Sequence, residues 1–199
     1  MMTRILYLSI AVVAALIGWR LWAIHNAYAL AELAPFGNSI GLQKAAVTLV
    51  EFMDYRCSAC RIHNDDIEEL ARRHPDVRIV IRNLPVFGQP SVREADLVLA
   101  AGKQGKFKAM HDILIRRENP VEEGEIKKLA GDAGVDYDRL MKEWRGADIG
   151  EHLLQTLAVA ERLGINATPA FIVNGKIIGG LDQIPSLAAL EKAIADARK

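Results

Sequence analysis

The chain is predicted to form an α/β fold: a small mixed sheet with helices inserted into it and an apolar helix ahead of it. Three stretches carry that prediction. An apolar run from Ala46 to Met53 leads into a helical pattern and then into a second apolar run, Val77 to Ile81. Strand, helix and strand in that order make a right-handed crossover with a parallel pair. Next comes a region of helical periodicity only, about residues 91 to 163. The chain then returns to strands, with Ala170-Phe171-Ile172-Val173 and Lys176-Ile177-Ile178-Gly179 flanking Asn174-Gly175, the pair best suited to a two-residue type I′ hairpin.

In chain order, Ile5 to Ile24 contains Arg20 as its only charge and follows the cationic Met1-Met2-Thr3-Arg4. Residues 1–24 therefore read as a signal-anchor or a signal peptide. Ala27-Tyr28-Ala29 and Ala29-Leu30-Ala31 offer small-x-small cleavage sites, whereas Trp19, Arg20 and Trp22 resemble interfacial anchors and favour an uncleaved span. Arg4 holds the N-terminus inside, so in either case the remainder lies outside the cytoplasmic membrane, where disulfides persist. Residues 25–44, with Pro35, Gly37, Asn38 and Gly41, read as a tether, although His25 to Leu33 could continue the membrane helix and self-associate, and the domain occupies 45–199. The helix after the first strand carries Cys60, His63, Ile67, Leu70 and Ala71 on one face and stops at Pro75. In the helical insertion, Phe107, Met110, Leu114, Leu129, Leu140, Trp144, Leu153 and Leu157 fall at core spacing. A closing helix runs from Ser186 to about Arg198, after Pro185.

Composition narrows the function classes. With 51% hydrophobic residues in 199, the chain can build a core without cross-links. Lysine plus arginine balances aspartate plus glutamate at 25 each, which leaves no basic field for nucleic acid.

The two cysteines are Cys57 and Cys60, separated by Ser58-Ala59, directly after the first strand. A bond between them would close so small a ring that it would add only about 2 kcal/mol of chain-entropy stabilisation, which suits a redox switch better than a staple. At a helix's first turn, unpaired N–H groups and the positive dipole end stabilise a thiolate. Cys57, the outer member, is the expected nucleophile; Cys60, on the same face, is the expected resolving thiol and is expected to be buried. Glu51 interrupts an otherwise apolar strand, so burial would require a partner or a proton; a solvent-facing glutamate is the alternative. His63 extends the motif to Cys-x-x-Cys-x-x-His, but structural zinc takes four ligands and His74, His111 and His152 stand apart. Arg61 occupies the place where haem attachment needs histidine. Neither a metal nor a cofactor is expected.

The element order, the Cys-x-x-Cys at the helix start, Thr168-Pro169 opening the hairpin and Glu51 six residues before Cys57 together resemble the thioredoxin superfamily, in particular its DsbA-like branch. The resemblance covers about residues 45 to 199 and implies a thioredoxin-like fold with a helical domain inserted after the second strand. It also implies a cis Thr168-Pro169 bond that presents the Thr168 carbonyl and amide to substrate, and a Glu51 that relays a proton to or from Cys60 through water. By the same resemblance the protein is a thiol-disulfide oxidoreductase of the bacterial envelope, acting on exported proteins. Its redox partner would be an integral membrane protein, and residues 5–24 would hold it at the inner membrane if uncleaved.

Ser58-Ala59 departs from the Pro-His of strongly oxidising members and the Gly-Pro of reducing ones. Without a histidine between the cysteines, a less oxidising couple is expected, unless Arg56 and Arg61 supply the missing positive charge. Thr168 before the proline points the same way. One site on a short tether suits an oxidase or reductase more than an isomerase. The competing reading is a non-catalytic thioredoxin-like module that binds clients or a metal, and a thiol of ordinary pKa would favour it.

Overall fold

The computed structural model describes residues 2–179 and 183–199. A long helix, α1 (Met2–Ala31), comes first, followed by β1 (Ser39–Ile40), β2 (Val47–Met53), α2 (Ser58–Arg73) and β3 (Val77–Asn83). The insertion then comprises α3 (Gln89–Gly102), α4 (Phe107–Ile115), a 3-10 turn at Glu123–Glu125, α5 (Ile126–Asp132), α6 (Tyr137–Glu143) and α7 (Ala147–Arg162). The hairpin β4 (Ala170–Val173) and β5 (Lys176–Ile178) precedes the closing helix α8 (Leu187–Ala197).

The sheet has the order β1-β3-β2-β4-β5, with β2 parallel to β3 and the other pairs antiparallel. All seven residues of β2 are buried, as a near-continuous apolar run demands when both faces of a central strand are covered. Alternation divides the core between those faces. Leu49, Met53, Ile79, Ile81 and Phe171 pack on one side with Ile67 and Leu70 of α2 and Leu190 and Ile194 of α8. On the other, Val50, Phe52, Val80 and Ile172 meet Ala27 and Ala31 of α1 and Val159 and Ala160 of α7. The hairpin turn forms at Asn174 and Gly175, whose φ angles of 42° and 74° are the positive values a type I′ turn requires. Ser186 caps α8 by accepting from the Ala189 N–H.

Much of the expected tether at residues 25–44 is built into the fold, and the alternative that the first helix continues past residue 25 holds. Residues 25–31 continue α1, and Asn38, fully buried, exchanges bonds with Ile81: its side-chain amide donates to the Ile81 carbonyl (2.8 Å) and its carbonyl accepts the Ile81 N–H (2.9 Å). Ser39 and Ile40 then pair antiparallel with Val80 and Ile79. A strand of two residues shows no alternation in a sequence; the bonds of Asn38 to β3 create it. Leu157, expected in the core, is 52% exposed, because α7 turns Ile149, His152, Thr156 and Val159 inward instead.

Arg82 of β3 is buried, and among the described residues no carboxylate pairs with it. Its Nη1 donates to the Leu33 carbonyl at 3.2 Å, just beyond the end of α1, where the helix dipole is negative. Burial lowers its pKa to about 10.

Gly102 closes the contact between α3 and the segment after α1, since a Cβ there would stand 2.0 Å from the Phe36 carbonyl oxygen. Gly102→Ala should lower stability by about 1–3 kcal/mol, the usual cost of overpacking. Gly131→Ala in α5, where nothing lies within 4 Å of the new Cβ, should be neutral or stabilising by up to about 1 kcal/mol. Thermal or urea unfolding of the two variants checks the contrast.

Candidate active site

Cys57 is the N-cap of α2, with extended backbone (φ −76°, ψ 113°), and its Sγ accepts the Cys60 N–H at 3.3 Å. The first turn of α2 contains no acidic residue, so nothing there opposes a negative sulfur. From the other side, the Thr168 carbonyl lies 3.2 Å from Sγ and accepts its S–H when the thiol is protonated. The Thr168-Pro169 peptide bond is cis. Cys57 and Cys60 are free thiols, 4% and 0% exposed respectively. The outer thiol is thus more shielded than an open reactive sulfur would be, and Ser58 is the exposed member of the turn.

Electrostatics separates the two sulfurs. Cys57 is lowered from 9.0 to about 5, chiefly by the hydrogen bond from the Cys60 thiol. Burial opposes the shift, while the Thr168 side chain and the backbone N–H groups of Cys60 and Ala59 reinforce it. Cys60 is pushed strongly upward by burial, by its bond to Cys57 and by the charge of Glu51. Glu51 lies on the face of β2 shared with Leu49 and Met53, beneath α2, and is buried. Burial and the nearby Cys57 charge raise it from 4.5 to about 8. The structure therefore brings together all five residues singled out in the sequence, Cys57, Cys60, Glu51, Thr168 and Pro169, and Glu51 faces inward rather than toward solvent. His63 sits 3.2 Å from Asp66 one turn along α2, and no cluster of three metal-ligating side chains occurs among the described residues.

Sequence reasoning missed the residues that hold the loop. Asp54, 2% exposed, accepts from the Arg56 N–H through Oδ1 (2.7 Å) and from the Val86 and Phe87 N–H groups through Oδ2 (2.7 and 3.3 Å). Its carbonyl accepts the Cys57 N–H. Arg56 points away from the sulfurs: Nε donates to Glu94 Oε2, Nη1 to the Glu118 carbonyl and Nη2 to the Arg117 carbonyl, each at 2.8 Å. Arg61 donates to the Tyr55 carbonyl. The main causes of the lowered Cys57 pKa are thiol, hydroxyl and backbone donors, while the Arg56 and Arg61 guanidiniums, the candidate substitutes for a histidine charge, are engaged elsewhere. Glu94, fully buried, also accepts the Val121 N–H, so the Arg56–Glu94 pair welds the loop before Cys57 to the insertion. Tyr55 adds a second weld through its hydroxyl to His111 Nδ1 of α4 (2.9 Å). An aspartate at a strand end was the one legible signal, as an Asx turn; Glu94 and His111 lie 38 and 56 residues from their partners.

The described geometry has relatives. A family model described as thioredoxin matches residues 34–196. A thioredoxin-like oxidoreductase from Silicibacter pomeroyi superposes with a TM-score of 0.75 at 32% identity, over 83% of this chain and 94% of that one. The thiol-disulfide exchange protein alpha-DsbA2 from Wolbachia pipientis superposes with a TM-score of 0.77 at 21% identity, over 87% and 94% of the two chains, a likeness of fold. The Na(+)/H(+) antiporter NhaA 3 of Salinispora tropica is 30% identical over 164 residues, 79% of this chain and 25% of that protein. The chain spans about a quarter of the length of the curated relatives it matches.

The pKa shifts have opposite pH consequences. The lowered Cys57 pKa stabilises the reduced protein fully above about pH 9, and that contribution is lost as pH falls through about 5. The raised Glu51 pKa contributes fully below about pH 4.5 and is lost as pH rises through about 8. Thiolate absorbance of the reduced protein should therefore rise with a midpoint near pH 5, and that step should vanish in Cys57→Ser. A first thiolate step near the free-cysteine value of about 8.5 would contradict the geometry.

Proposed function

The chain belongs to the thioredoxin family, and from that premise we propose that it catalyses dithiol-disulfide exchange on exported proteins in the bacterial envelope. The observation that carries this reading is the separation of the two thiols, with Cys57 lowered to about 5 and Cys60 held protonated behind it. A passive client- or metal-binding module needs no such separation.

In the reducing direction, the Cys57 thiolate attacks a client disulfide: one S–S bond breaks, a Cys57–client bond forms, and the departing client thiolate takes a proton. Formation of that bond removes the negative charge from Cys57, one of the two causes that raise Glu51. Glu51 then ionises more readily, loses its proton to solvent and accepts the proton of Cys60. The Cys60 thiolate attacks Cys57 Sγ, the Cys57–client bond breaks, the second client sulfur leaves as a thiolate that takes up the proton from Glu51, and the two protein sulfurs end joined. The same steps reversed oxidise a client dithiol. The Thr168 carbonyl, beside Sγ, and the amide of the same residue are the backbone groups an extended client segment would meet. An integral membrane redox protein would return the pair to its starting state.

The donors that lower Cys57 also bear on redox poise, because stabilising the reduced form makes the couple more oxidising. A thiol lowered to about 5 falls between the reference values of about 3.5 for DsbA and about 7 for thioredoxin. The potential should accordingly lie between about −120 mV and about −270 mV. Equilibration with glutathione buffers measures it, and a value as high as DsbA's would refute the intermediate assignment. Cys60→Ser should accumulate mixed disulfides through Cys57 that non-reducing gels resolve, and the Cys57→Ser, Cys60→Ser double variant should accumulate none. Recovery of no adduct from envelope extracts of the single variant would count against the mechanism.

A further inference from the structure

Helix α1 is 30 residues long and unbroken, yet it occupies two environments. From Ile10 to Trp22 every side chain is exposed, including Ile10, Val13, Leu16, Ile17, Trp19 and Trp22, each more than half exposed. These apolar side chains surround the helix instead of forming one stripe. A partner helix or a groove covers a stripe; a bilayer covers all sides. One turn later the same helix belongs to the domain. Ala27 and Ala31 are fully buried and pack with Val50, Val80, Ile172, Val159 and Ala160, Tyr28 lies against Gly175 of the hairpin turn, and Arg82 binds just past the helix end.

The two small-x-small sequences that would direct cleavage lie inside this packed segment. A cut after Ala29 would remove Ala27 and Tyr28. A cut after Ala31 would remove Ala31 as well and uncover the apolar face formed by Val50, Ile172, Val159 and Ala160. We infer that α1 is retained as one rigid element, embedded in a lipid bilayer over about residues 5–22 and in the domain core over residues 23–31, with no linker between them. The embedded part is roughly 27 Å long at about 1.5 Å per residue, close to a hydrocarbon core of about 30 Å. The inference rests on the proposed envelope location for the bilayer and on none of the thiol chemistry.

The test is to express the full chain in a bacterium, wash the membranes with alkaline carbonate and measure the intact mass of the recovered protein, for the wild type and for the Cys57→Ser, Cys60→Ser variant. Both should stay in the membrane pellet with residues 2–31 attached; the double variant separates this result from any failure of the redox reading. In detergent, Ala27→Leu should lower the unfolding midpoint by several degrees, whereas Ala14→Leu, on the exposed stretch, should leave it unchanged. A soluble chain beginning at Leu30 or Glu32 would overturn the inference. So would a full-length chain recovered as a water-soluble oligomer, or an Ala27→Leu variant as stable as the wild type.

Discussion

The backbone N–H groups that the first turn of α2 directs at Cys57 Sγ are the interaction on which the rest of the site depends. They exist only because the helix begins at that residue. A residue earlier or later, the sulfur would leave the cap position and lose the Cys60 N–H at 3.3 Å. Asp54 sets that starting point: its carbonyl holds the Cys57 N–H while its carboxylate gathers three further N–H groups from Arg56, Val86 and Phe87. A carboxyl so saturated by backbone donors leaves no polar atom unpaired when buried, and it fixes the loop before Cys57 and the loop after β3 to the same end of the sheet.

Around this cap, charge is arranged by exclusion as much as by attraction. Arg56, adjacent in sequence to the nucleophile, is committed to Glu94 and two carbonyls in the insertion. Removing one partner of such a buried pair characteristically costs about 3–5 kcal/mol, so the side chain is not available to the sulfur. The thiolate is left to neutral donors, while a protonatable acid, Glu51, and a thiol held protonated, Cys60, lie beneath it on one face of β2 and α2. The helical insertion is thus part of the site's support: through Glu94, the carbonyls of Arg117 and Glu118, and His111 it grips the residues immediately before the cysteines.

The opposite face of the sheet carries a different load. There α1 and α7 cover Val50, Val80 and Ile172, so the apolar helix ahead of the domain takes part in its core. Asn38 then feeds the chain from α1 into the sheet as its edge strand, by matching both backbone groups of Ile81. These contacts turn what looked like a connecting segment into structure that couples the first helix to the central strands.

Local patterns in the sequence were enough for the element order from β2 onward, the hairpin turn, the helix start at Cys57 and the cysteine pair, because strand runs, Asn-Gly turns and N-terminal caps are written within a few residues of where they act. The juxtaposition of Thr168-Pro169 with Cys57 was legible only through likeness to a known family. What the tertiary structure alone decided were long-range matters: that Ala27 and Ala31 cover one face of the sheet and Asn38 to Ile40 one edge, that Arg56 belongs to Glu94 and not to the sulfur, and that Asp54 joins two loops. Each depends on which distant group comes within hydrogen-bond reach once the sheet is assembled, and composition or periodicity in a single stretch carries no record of a partner dozens of residues away.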